Sequence, residues 1–215
     1  MMGSFSIVEF FATIAPLPIL LPVIIGIRKY GYASQAEKHV VALVIVAFVS
    51  QLVATVLWWK TINNLFISHY FTMLEGLLLL RYFSFSFGKK GKMINVIALV
   101  FVGFSISQVF FSFPDLGINA AAKGVESALL VLVSLFVWRK IMLDYTEENL
   151  LSRPLFWINS AVLVYFSVGM LLFVFSESIL SGKQSVGLSL WAIHLFFMTV
   201  YYSLLSVGLW KISRK

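Results

Sequence analysis

Seven long apolar runs, separated by short polar segments, constrain this chain more than any other feature of its sequence. Each run reaches the roughly 20 residues that an α-helix needs to cross a bilayer. The 215 residues are 60% hydrophobic and only 12% charged, and the mean hydropathy is +0.97, which is outside the range of water-soluble domains. The sequence therefore predicts an all-α integral membrane protein, a seven-transmembrane-helix bundle forming a single domain over residues 1–215. The predicted helices cover about residues 5–27, 40–59, 65–87, 93–113, 119–142, 155–176 and 188–212.

Lysine and arginine are distributed unequally between the two ends of these helices. Thirteen fall on one side: Arg28, Lys29, Lys38, Arg81, Lys89, Lys90, Lys92, Arg139, Lys140, Arg153, Lys211, Arg214 and Lys215. Three fall on the other: Lys60, Lys123 and Lys183. The positive-inside rule then predicts an N-terminus outside and a C-terminus in the cytoplasm, as in a bacterial inner (plasma) membrane protein. We interpret the net charge of +7 as a signal that orients the chain in the membrane and as a source of attraction to the anionic lipid of the bilayer. We expect it to have no role in binding nucleic acid.

Catalytic and cofactor chemistry have little support in the residues. The histidines His39, His69 and His194 are far apart in the sequence, and no H-E-x-x-H motif occurs. A metal site made of two histidines and a carboxylate stays an open alternative, because geometry alone does not exclude it. No G-x-S-x-G marks a serine nucleophile. The last apolar run has no lysine before Lys211 at its end, so a retinal Schiff base is not expected. We predict no cofactor and no metal, and the sequence favours a role other than that of an enzyme.

One carboxylate interrupts the third apolar run. Glu75 follows Leu65 by ten residues, roughly 15 Å along a helix, which is near the bilayer midplane. A charge there costs about 2.5–3.5 kcal/mol, so we expect Glu75 to face the bundle interior and to be protonated or paired. On the fifth run Asn119, Lys123 and Glu126 share one helix face, and Lys123 can pair with Glu126.

Further polar side chains fall in the same predicted half of the bundle, including a stripe on the seventh run. The sequence predicts that they line an outward-facing polar cavity with Glu75 as its charged floor. The predicted ligand-binding residues are His69, Glu75, Glu126, His194, Gln108, Asn119, Trp191 and Tyr201. Interhelical hydrogen bonds worth about 0.6 kcal/mol each are the alternative interpretation of the uncharged members. Whether the helices that carry these residues are neighbours stays open.

The segment NNLFISHYFTMLE has the form N-x-x-x-x-H-x-x-x-x-x-E. In this segment and in its helix plan, the chain resembles small bacterial seven-helix membrane proteins and the membrane sensor regions that precede histidine kinases. The resemblance implies a sensory role. We expect no output domain after the final SRK, and therefore expect the chain to signal through a membrane or cytoplasmic partner.

Three functions follow as hypotheses. The first is a receptor-like module that binds a small molecule or ion in the outward-facing cavity and signals through a partner. The second is a small transporter or channel that uses Glu75 as a midplane proton or cation site. The third is a structural subunit of a membrane complex.

Overall fold

The computed structural model describes residues 17–112, 119–144, 150–174 and 184–213. Secondary structure in these ranges is helical throughout. The α-helices are α1 (Leu17–Lys29), α2 (Gln35–Trp59), α3 (Leu65–Ser84), α4 (Gly91–Ser112), α5 (Ala120–Asp144), α6 (Pro154–Val174) and α7 (Gln184–Trp210). Short 3₁₀ turns at Tyr30–Tyr32, Phe85–Lys90 and Leu150–Ser152 connect some of them.

Five helical stretches of the described residues are long and apolar enough to cross a membrane. They are Gln35–Trp59, Leu65–Phe111, Ala120–Leu143, Pro154–Leu172 and Ala192–Trp210. The second of these is not one rod, because α3 and α4 fold back on each other through the turn at Phe85–Lys90. The all-helical prediction is confirmed, and the stretches are consistent with an integral membrane protein. Residues 5–16 of the first predicted helix lie outside the described residues.

Two helix bounds differ from the prediction for identifiable reasons. The second helix begins at Gln35 rather than near residue 40, because Ser34 caps it. The Ser34 Oγ accepts a hydrogen bond from the Glu37 amide at 3.3 Å, and the Glu37 carboxylate accepts one from the Ser34 amide at 2.7 Å. This reciprocal capping box satisfies two amides that a helix start leaves without partners. The third helix ends at Ser84 because the 3₁₀ turn follows directly, and Gly88 in that turn has φ +52°, a conformation that glycine adopts without strain.

Six of the helices close into a ring and one lies outside it. Around the ring the neighbours are α1, α2, α3, α5, α6 and α7, and α7 packs back against α1. Helix α4 packs mainly along α3, on the outer side of the ring. Gly76 of α3 permits this close approach, because a side chain there would overlap the ring of Phe101 on α4.

Helices α3 and α5 are parallel neighbours, and three contacts fix their register. Near the start of both, the Asn119 amide donates a long hydrogen bond of 3.5 Å to the Ser68 carbonyl. Near the far end, the Lys140 ammonium donates to the Ser86 carbonyl. The third contact lies between these two and involves Glu75. Because Glu75 and Glu126 each follow the first contact by seven residues, they lie at the same height, about 10 Å farther along the pair.

Candidate functional site

A buried cluster of two carboxylates and one ammonium joins α3 to α5. The Lys123 Nζ contacts the Glu75 carboxylate across the helix interface and lies 2.7 Å from Glu126 Oε2 on its own helix. The exposed fractions are 1% for Glu75, 0% for Glu126 and 8% for Lys123. We refer to these three residues as the buried triad. These three residues lie on the helix faces that also carry buried apolar core residues, so they are buried with the core.

Aromatic rings complete the surroundings of the Lys123 ammonium. Its nitrogen lies 5.5 Å from the centre of the Phe71 ring and 5.4 Å from that of Phe166. The negative faces of aromatic rings attract cations at such distances, most strongly where water is excluded. One turn on, the Ser127 hydroxyl donates to the Lys123 carbonyl at 2.8 Å. The triad is therefore a cation site in which an ammonium of the chain itself is the occupant.

Aromatic residues of α6 and α7 border the triad from the opposite side. The rings of Tyr165 and Tyr201 stack with their centres 4.6 Å apart, and the ring of His194 lies 5.9 Å from Tyr165. All three are near enough to interact with the charges of the triad. Within the described residues the buried Tyr201 hydroxyl has no hydrogen-bond partner. Four helices thus meet at one polar centre.

Different side chains adjoin the triad in the two directions along α3 and α5. Toward the start of the helices the triad is followed by the buried side chains of His69 and Asn119. Toward the far end come the apolar side chains of Leu79, Phe83 and Leu130, and then the polar Ser134 and Asn159, each with an exposed fraction of 0%. Because bulky apolar side chains exclude water, the triad is closed on that side in this conformation.

The structure brings together several of the sequence-predicted residues. Glu75 and Glu126 share the triad, while His194 and Tyr201 approach it through Tyr165. The predicted stripes on the fifth and seventh helices therefore border one region, with α6 packed between them. Asn119 lies above this region at its contact with Ser68.

The remaining predicted residues lie differently. His69 is buried on α3, six residues before Glu75. Gln108 is half-buried on α4, the helix outside the ring. Trp191 belongs to α7, but its side chain lies outside the described part of the chain. Ligand binding by these residues stays a prediction.

Lys123 is the functional candidate that the sequence prediction omitted from the site. The sequence analysis places it in the fifth predicted helix, able to pair with Glu126, but counts it among the basic residues of the less basic side, whereas the structure buries it three residues after the start of α5. The available signal was the missing countercharge: a lone carboxylate such as Glu75 needs a buried cation or a proton. Phe71, Tyr165 and Phe166 carried no such signal, because aromatic residues are common in apolar helices.

Comparisons with protein-family models, with curated proteins and with solved structures find no match to this chain. The chemistry of the site is therefore argued from its groups. Two carboxylates, aromatic faces and an ammonium can exchange a proton or accommodate a second cation of similar size.

Proposed function

We propose that the protein is a receptor-like seven-transmembrane-helix module in which a small ligand or ion acts on the buried triad. In this proposal the N-terminus is outside and the C-terminus is in the cytoplasm of a bacterial-type inner membrane. With Lys123 removed from the count, thirteen basic residues on one side face two, Lys60 and Lys183, on the other. This asymmetry of thirteen to two supports the proposed orientation.

The observation that carries the proposal is the triad itself. Replacing a buried ion pair by apolar side chains of similar size is often neutral or stabilising, so the triad is an inefficient way to hold α3 against α5. A group whose charge or partner can change is useful where two helix arrangements have similar free energies. The triad meets that requirement because Lys123 has two carboxylates between which its contacts can be redistributed.

A change at the triad would have a direct route to the proposed cytoplasmic end. Helices α3 and α5 touch both at the triad and where Lys140 donates to the Ser86 carbonyl. Small shifts of packed helices, about 1–2 Å, are a known way for membrane and interface helices to transmit a signal. We therefore propose that a membrane or cytoplasmic partner detects the relative position of these helix ends.

Cysteines placed together at Lys89, just after α3, and at Arg139 in α5, both exposed, allow this movement to be measured, because the chain has no native cysteine. We expect the distance between spin labels at these positions to shift by about 1–2 Å when pH is stepped or a primary ammonium compound is added. The labels should react from one side of the vesicle only. Glu75→Gln should abolish the shift, whereas Glu37→Gln should retain it, because glutamine also supports a capping box.

A distance that stays constant in the unmodified protein under every condition would refute the receptor proposal. An equal response of the Glu75→Gln and Glu37→Gln variants would also refute a role for the triad. In either case the triad would be a packing element of the α3 and α5 interface.

A second function, transport of a proton or cation, is favoured by the one-sided surroundings of the triad. His69 and Asn119 lead toward it from the proposed outside, and apolar side chains such as Leu79 and Phe83 close the other side. A transporter exposes such a site to each side in turn. Transport predicts pH-coupled flux in proteoliposomes that is lost in Glu75→Gln, and a helix movement without flux under any gradient would contradict it.

A further inference from the structure

We propose that the ion to which the triad responds is a proton, and that the two carboxyl groups of Glu75 and Glu126 hold one proton between them. This inference deepens the proposed function and rests on it. It follows from the charge of the triad, from the lack of a further lysine or arginine in the described parts of α2, α4, α6 and α7 that lie away from the helix ends, and from one oxygen of Glu126 that has no hydrogen-bond partner.

The charges of the triad do not balance when all three groups are ionised. Two carboxylates and one ammonium carry a net charge of −1, and Glu75 and Glu126 are almost completely buried. A net charge enclosed in an apolar interior carries a desolvation penalty of several kcal/mol. One added proton brings the triad to neutrality, with Lys123 ion-paired to a single carboxylate.

The elements packed around the triad offer no better source of positive charge. Residues 40–59 of α2 and 93–112 of α4 contain no titratable side chain. From α6 the only titratable group in residues 155–174 is Tyr165, which is neutral when protonated. Helix α7 contributes Tyr201, Tyr202 and His194, as considered next.

The two nearby histidines are poorer sites for the proton than the carboxyl groups. His194 lies close enough to Lys123 for their charges to interact, so an imidazolium there would be repelled by the ammonium. His69 precedes Glu75 by six residues on α3, about 9 Å along the helix axis. A proton on His69 would leave the excess negative charge unpaired at that distance.

Glu126 carries the atom that best accommodates the proton. Its Oε2 faces Lys123, but within the described residues its buried Oε1 has no hydrogen-bond partner. A buried carboxylate oxygen without a donor is costly. In the binding step this oxygen, or one of Glu75, gains the proton that a hydronium ion loses, and the hydronium ion becomes water.

Protonation also changes what Lys123 does. When both carboxyls are ionised, the ammonium must be shared between Glu75 on α3 and Glu126 on α5. When one is protonated, the ammonium can pair fully with the other. Uptake of the proton therefore changes how strongly Lys123 holds α3 against α5, which is the change that the proposed function requires.

Infrared difference spectroscopy of the reconstituted protein tests this directly. At about pH 7, where exposed carboxyl groups are ionised, we expect one buried protonated carboxyl band that exchanges slowly with deuterium. Glu75→Gln and Glu126→Gln should each lose it, because Lys123 neutralises the remaining carboxylate. Glu37→Gln, the same chemical change at a half-buried helix cap, should keep it. Lys123→Met should double the band, because both carboxyls then lack a cation.

Two results would overturn the inference. Both are measured on folded protein, either unmodified or with a glutamine substitution. One is the absence of a protonated carboxyl band in the unmodified protein down to about pH 5. The other is a band that survives in both glutamine variants. A missing band together with a ligand-driven shift in the label distance would refute the proton and leave the receptor proposal standing. A protonated carboxyl band without any shift in the label distance would support the shared proton and refute the receptor proposal.

Discussion

Lys123→Met is expected to lower the free energy of unfolding by about 3–5 kcal/mol, the range found when one partner of a buried ion pair is removed. The substitution keeps the length and apolar stem of the side chain. It removes the only ammonium in contact with Glu75 and Glu126 within the described residues. Glu75 and Glu126 would then have no countercharge at the α3 and α5 interface, so each must either take up a proton or stay buried as an unpaired charge.

Reversible unfolding in mixed micelles measures this loss. The triple variant Glu75→Gln/Lys123→Met/Glu126→Gln should recover most of it, because no buried charge remains to be compensated. Lys60→Met is the matched control: Lys60 is exposed, so its loss should change stability by less than about 0.5 kcal/mol. If Lys123→Met is as stable as Lys60→Met, the triad does not hold the two helices together.

The helices could be predicted from the sequence because hydropathy and length are local properties. The start of α2 could also have been predicted, because Ser34 and Glu37 form the S-x-x-E pattern of a capping box. Hydropathy alone places this start too late, near residue 40, where the charged residues end. The number of membrane-crossing helices and their orientation stay predictions, and the structure contributes five apolar helical stretches of sufficient length.

The composition of the site was predictable only in part. Glu75 and Glu126 were identified because a carboxylate in an apolar run needs a partner, and pairing of Lys123 with Glu126 follows from their spacing. That Lys123 also reaches Glu75 depends on α3 and α5 being neighbours, which is set by packing between residues 48 positions apart. The same packing leaves α4, the helix that carries Gln108, outside the ring and mainly against α3, which the height of Gln108 along its helix could not indicate.

Gly91→Ala is expected to lower the free energy of unfolding by about 1–3 kcal/mol, as overpacking at a close contact does. A Cβ at this position would overlap the backbone carbonyl oxygen of Ser84. Backbone at the end of a helix has little freedom to move aside, so the turn between α3 and α4 must open. Gly103→Ala, also in α4 but with no atom within 4 Å of the added carbon, should be neutral or stabilising by up to about 1 kcal/mol.

The same pair of variants tests whether α4 positions the triad. Gly76 packs against Phe101 of α4 while its neighbour Glu75 contacts Lys123 of α5, so the fit of α4 sets the rotation of α3. If this is correct, Gly91→Ala should weaken the infrared band of the buried carboxyl as well as the fold, whereas Gly103→Ala should leave both intact. A variant that loses stability but keeps the band would mean that α3 holds Glu75 in place without help from α4. The position of the carboxylate would then be set by the contact of α3 with α2 and α5 alone.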